Sequence, residues 1–179
     1  MPGRVPPSAR LALPAVLAAL AAHGTAAADL PPCPPGGTDR AAILCEINAA
    51  RADAGAGPVR SRPSLGDAAV AHSRDMVERR YFAHESPEGE GPADRARRAG
   101  YMRRADSWRI GEVLAWSRGE TLTAAAVVEL WLDSPPHRRI LLSRRYRDVG
   151  TGPVGGAPVG DPSVRPATTV TVVFGRRSR

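Results

Sequence analysis

Three side chains have the types and spacing to do chemistry: His84, Glu112 and His137, 28 and then 25 residues apart. His84 lies in Tyr81-Phe82-Ala83-His84-Glu85-Ser86-Pro87, Glu112 follows Gly111, and His137 follows Ser134-Pro135-Pro136. Two neutral imidazoles and a carboxylate meet the ligand count of a zinc site with an open position. Imidazole suits other divalent ions too, so the cofactor class implied is a divalent metal such as zinc, held by His84 and His137. Glu112 would equally serve as a general base. The same residues have plainer uses: an exposed loop imidazole, a capping or hydrogen-bonded His137, or an ion pair between Glu112 and an arginine. A carboxylate in the apolar run from Ile110 to Trp116 needs either a partner or a wet cleft.

Each of the three sits where secondary structure should stop or start. Thr38 can cap a first helix whose Ile43, Ile47 and Ala50 recur at helical spacing, ended by Gly55 and Gly57-Pro58. A second helix starts near Pro63-Ser64, carries the stripe Leu65, Ala69, His72 and Met76, and runs out at Arg79-Arg80. It hands His84 to a loop, where a rigid scaffold commonly places functional groups. His72, on the stripe, reads as a satisfied core histidine, and Met76, Tyr81 and Trp131 as core or cleft-wall residues. Gly91-Pro92 opens a short third helix that runs through Arg98 to Gly100.

Ile110 to Trp116 reads as an extended segment carrying Glu112, with Trp108 and Trp116 flanking it in packing roles. Thr121 or Thr123 caps a helix with Ala124, Val127, Val128, Trp131 and Leu132 inward. Ser134-Pro135 stops that helix and begins a short one containing His137, Ile140 and Leu141. Alternation at 147–151 and 168–174 predicts two strands, joined by a Gly/Pro-rich loop from Gly152 to Pro166 and pairing antiparallel. Helices mixed with antiparallel strands argue an α+β domain.

A chain of 179 residues suits one domain with a proper core. Arg4 and Arg10 precede an apolar run from Leu11 to Ala22, and Ala26-Ala27-Ala28 offers small residues for cleavage. Residues 1–28 are therefore expected to be a signal peptide, with an uncleaved anchor as the alternative. Residues 29–38 form a Pro-rich arm, and 39–176 the domain. All 25 basic residues are arginine, against 18 acidic ones, and the formal net charge is +7. Without Arg4 and Arg10 the balance is 23 to 18, a charge of +5. The arginines look scattered and solvated, with a weak lean toward an anionic cell-wall polymer. No nucleic-acid-reading motif is present. In an oxidising compartment the pair Cys33 and Cys45 favours a disulfide, pinning the arm to the first helix.

The ordered pieces Tyr81 to Gly89, Gly111-Glu112, Trp131 to Arg138, Tyr146-Arg147-Asp148-Val149-Gly150 and Val172-Val173-Phe174-Gly175 together resemble the CAP superfamily of cysteine-rich secretory, antigen 5 and pathogenesis-related 1 proteins. The similarity runs from about Ile43 to Gly175 and is nearest the short bacterial members. It implies a three-layer α-β-α sandwich with a small antiparallel sheet. It also implies a cleft binding His84, Glu112 and His137 together. The family pattern there is Gly-Glu-Asn, whereas this chain has Val113 in the third place. The family often adds a second acid on the helix before the tryptophan; Ala126 stands there here, with Glu129 one turn on as a substitute.

Three functions fit these residues. The first is a secreted, non-catalytic module, expected as a monomer, whose cleft binds an extracellular ligand, lipid or protein and takes a divalent metal weakly. The second is a hydrolase using Glu112 as base, although no His-Glu-x-x-His, Gly-x-Ser-x-Gly or unpaired cysteine supports it. The third is a structural cell-envelope protein. Arg138, next to His137, is expected to pair with a carboxylate near the cleft.

Overall fold

The computed structural model describes residues 32–120 and 122–179. The expected signal peptide and the alternative cap Thr121 lie outside the described residues. Helix α1 (Arg40–Asp53) begins at Asp39, whose extended backbone lets its carboxylate accept from the amides of Ala41 and Ala42 at 2.8 Å each. Thr38, the cap expected from the sequence, instead donates its hydroxyl to the carbonyl of Leu122. A disulfide joins Cys33 to Cys45 and ties the Pro-rich arm to α1.

Strand β1 (Arg60–Ser61) precedes α2 (Pro63–Arg79), which starts on Pro63 and ends at Arg80 in the left-handed conformation, φ 64°. Then follow α3 (Pro92–Arg98), β2 (Ser107–Arg118), α4 (Ala124–Asp133) and α5 (Pro135–Leu141). Strands β3 (Asp148–Gly155) and β4 (Ala167–Ser178) complete the chain. Thr123 caps α4 by accepting from the amide of Ala126 at 3.1 Å.

The sheet order is β1-β3-β4-β2. Antiparallel pairing joins β2 to β4 from Ser107↔Ser178 to Arg118↔Ala167, and β3 to β4. The small β1 pairs in parallel with β3, so the sheet is mixed rather than wholly antiparallel. Two residues are too few to show a period of two, which is why the sequence concealed β1.

Alternating side chains of the sheet divide the core into two layers. Val113, Val170, Val172 and Phe174 pack with Ile43, Ile47, Val127, Trp131 and Leu141, beneath α1, α4 and α5. Val173 packs on the other face with Leu65, Ala69, Ala96 and Tyr101, beneath α2 and α3. This is the α-β-α sandwich. Helix α2 lies directly on β3 because Gly150 and Gly152 carry no Cβ; one at either place would overlap the backbone at Leu65-Gly66 or Ala69-Val70.

Candidate functional site

Strand β2 is an edge strand, with α2 and α3 on one face and α5 on the other. Its pleat sends Val113 into the core and Glu112, its neighbour, toward α2 and α3. The Val113 side chain is fully buried there. The left-handed turn at Arg80 ends α2 and brings the following loop over Glu112. The His84 ring lies on top: its Nδ1 donates to Glu112 Oε1 at 2.9 Å. A carboxylate oxygen only accepts, so Nδ1 carries a proton, and in the neutral form of the ring Nε2 keeps its lone pair. The His84 side chain is 50% exposed, whereas that of Glu112 is 1% exposed. Glu112 is therefore sealed under the loop rather than open in a solvent-accessible cleft.

The partner that makes this burial tolerable is Arg95 of α3. Its Nη2 donates to Glu112 Oε2 at 2.9 Å and to the carbonyl of His84 at 2.8 Å, while Nη1 donates to the carbonyl of Glu90 at 2.7 Å. One guanidinium thus neutralises the carboxylate and clamps both ends of the loop over it. The expected alternative for Glu112, an ion pair with an arginine, is realised by a residue the sequence did not single out. Helix α3 also offers Arg97 and Arg98, and composition alone cannot rank the three.

His72 belongs to the same cluster. Its Nε2 donates to the carbonyl of Ala83 at 2.9 Å and lies 3.9 Å from Glu112 Oε1. Burial outweighs the attraction of Glu112 and lowers its pKa, which keeps the ring neutral. It is a core histidine, as its helical stripe indicated, but it also packs against the buried carboxylate.

His137 sits in the first turn of α5, half-buried, with Nδ1 shielded from solvent and without a partner. Burial lowers its pKa, and His84 pushes it the same way whenever that ring is protonated. The shift favours the neutral His137 ring. Phe82 packs edge-on to Trp116, ring centroids 6.4 Å apart, placing an aromatic pair on the same loop and strand as His84 and Glu112.

The expected metal ligands do not form a set. Among the described residues no group of three or more His, Cys, Asp and Glu side chains is arranged to hold an ion. Glu112 is spent on Arg95 and His84, and His84 turns Nδ1 inward to it. Ala126 and Glu129 are both exposed, so α4 supplies no additional buried carboxylate. Arg138 is exposed and is in none of the ion pairs found among the described residues, contrary to the expected pairing. These residues do not fit a three-ligand metal centre.

The model of the cysteine-rich secretory protein family, CAP, matches residues 44–174. The chain belongs to that family. It is 32% identical over 105 residues to the Bacillus subtilis protein YkwD, covering 59% of this chain and 38% of YkwD. It is 30% identical over 115 residues to the Bacillus subtilis membrane protein YlbC, covering 64% of this chain and 31% of YlbC. The chain thus spans about a third of the length of these curated relatives. Among solved structures it resembles an extracellular protein containing an SCP domain from Bacillus anthracis, with TM-score 0.60 and 26% identity, over 76% of this chain and 40% of that one. It also resembles an outer surface protein of Borrelia burgdorferi, with TM-score 0.61 over 76% and 90% of the two chains; at 21% identity that likeness speaks for the fold alone. These neighbours are extracellular or surface proteins, and no helix among the described residues is long and apolar enough to cross a membrane.

Proposed function

We propose that this member of the CAP family is a secreted, non-catalytic binding module of the bacterial cell envelope. Its cleft recognises a peptide-like ligand through His84 and His137. The observation that carries this reading is the sealing of Glu112 under His84 with Arg95 against it. A general base must reach the reacting water and a metal ligand must reach the ion, and this carboxylate is turned to protein groups instead. Glu112 acts as an orienting group. By accepting from Nδ1 it fixes the ring of His84 and leaves Nε2 as an acceptor at the surface, suited to an amide N–H or hydroxyl. His137, in the first turn of α5, supplies the second ring, and the Phe82–Trp116 pair supplies apolar wall.

The test uses bacterial peptidoglycan sacculi stripped of phosphate polymers. Wild-type protein should co-sediment with them, and His84→Ala/His137→Ala should remain in the supernatant with an unchanged thermal midpoint. No soluble fragment should accumulate beyond that seen with His84→Ala. Steady fragment release by wild type alone would reject the non-catalytic reading in favour of the hydrolase. Equal sedimentation of both proteins would reject the cleft as the binding site.

A further inference from the structure

The sheet end where β2 begins and β4 finishes carries charge that the cleft does not use. Two adjoining grooves there share Arg176 and Arg177 as a common wall. One, about 530 Å³, adds Arg109, Arg145 and the exposed Trp108; the other, about 620 Å³, adds Arg60, Arg62 and Arg147. All seven arginines are exposed. The acidic residue lining these grooves is Asp148, which is buried and already bonded to Arg62 Nε and the Tyr101 hydroxyl, both at 2.7 Å. Of the ion pairs among the described residues, only Arg62–Asp148 involves a groove arginine.

Two details point to a ligand rather than to ordinary solvated charge. Arg109 and Arg176 are direct cross-strand partners in the β2–β4 ladder, so like charges face each other on one side of the sheet. Such pairs are destabilising unless something negative lies between them. Arg147 and Arg177 are held by carbonyls rather than carboxylates. Arg147 Nη1 donates to the carbonyls of Arg144 and Tyr146 at 2.6 and 2.9 Å, and Arg177 Nη1 to that of Tyr101 at 2.7 Å. These contacts fix the guanidinia in place, and Arg177 also lies over the Tyr101 ring, 5.2 Å from its centroid, but among the described residues neither arginine is in an ion pair. The positions run from 60 to 177, which is why the arginines look scattered in sequence; folding brings them together.

We propose that this double groove docks a linear, phosphate-bearing anionic polymer, independently of the cleft. Guanidinium forks match phosphate oxygens in paired hydrogen bonds. Charge spread over two adjoining grooves suits a chain of phosphates better than one small anion. The concave surface bears one exposed aromatic, Trp108, which gives little for a bilayer to receive or for successive bases to stack on.

The probe is linear inorganic polyphosphate, with binding followed by calorimetry across a salt series. Wild type should bind at about 150 mM salt, weakening linearly on a log–log plot as salt rises. Arg109→Gln/Arg176→Gln should weaken binding roughly tenfold and reduce the salt slope by about two ions. Arg74→Gln/Arg139→Gln makes the same charge change at exposed sites outside both grooves and should cost less than about twofold. The thermal midpoint of the groove variant should hold or rise, because a repulsive pair has gone. Equal losses in the two variants would overturn the proposal, since net charge would then explain binding. So would absence of polyphosphate binding by wild type. Tighter capture by phosphatidylglycerol vesicles or single-stranded DNA of matched charge would also overturn it.

Discussion

Arg95 Nη2 lies 2.9 Å from Glu112 Oε2, and the two side chains are 3% and 1% exposed. The candidate site is thus built on a buried ion pair that also holds the loop carrying His84. The His84 carbonyl takes one hydrogen of that guanidinium, and the His84 ring caps the carboxylate. Removing the cation would strand a charge in the interior.

Arg95→Met should therefore cost about 3–5 kcal/mol of stability, the usual penalty for an orphaned buried charge. Arg95→Met/Glu112→Leu should recover most of that loss, because no lone ion remains. Urea denaturation measures both. A single-variant loss below about 1 kcal/mol would show that the pair does not hold the loop.

The orientation of His84 is checked by imidazole ¹⁵N shifts. The neutral form of the wild-type ring should carry its proton on Nδ1, facing Glu112. Glu112→Gln keeps the shape but weakens the acceptor, so a mixture of tautomers should appear. A wild-type ring protonated on Nε2 alone would contradict the geometry.

Acid should destabilise the fold through its neutral histidines. Burial lowers the pKa of both His72 and His137 in the folded state. The unfolded chain then binds more protons below about pH 6.5, and folding free energy is lost as pH falls from there through the folded-state values. His72→Gln, which can still donate to the Ala83 carbonyl, should flatten that part of the profile. Denaturation midpoints between about pH 7 and 5 provide the comparison. A variant as acid-sensitive as wild type would remove His72 from the account.

The contact of α2 with β3 makes a separate prediction. Gly152→Ala should destabilise by about 3 kcal/mol, because its Cβ would meet the helix backbone, which cannot yield as a side chain end does. Gly155→Ala, with open space around it, should change stability by less than about 0.5 kcal/mol. Thermal unfolding of the two variants decides the matter, and similar losses would refute the close approach.

Helix boundaries were legible because local signals set them: Pro63 and Pro92 start helices, Arg79 ends one, and Ser134-Pro135 separates two. The stripe Leu65, Ala69, His72 and Met76 was legible because helical periodicity reports burial directly. The order of motifs indicated the family, and so brought His84, Glu112 and His137 to attention. The sequence could also say that a carboxylate among apolar residues needs a partner. It could not say which one. Arg95, Arg97 and Arg98 have the same chemistry, and only the rotation of α3 against β2 selects Arg95. Whether Glu112 faces solvent or arginine likewise depends on how the loop from 84 to 90 closes over the strand. The arginine grooves are tertiary in the same sense. Charge acts through space at distances of a few ångströms, and residues 60, 109, 147 and 176 become neighbours only when four strands meet at one sheet end.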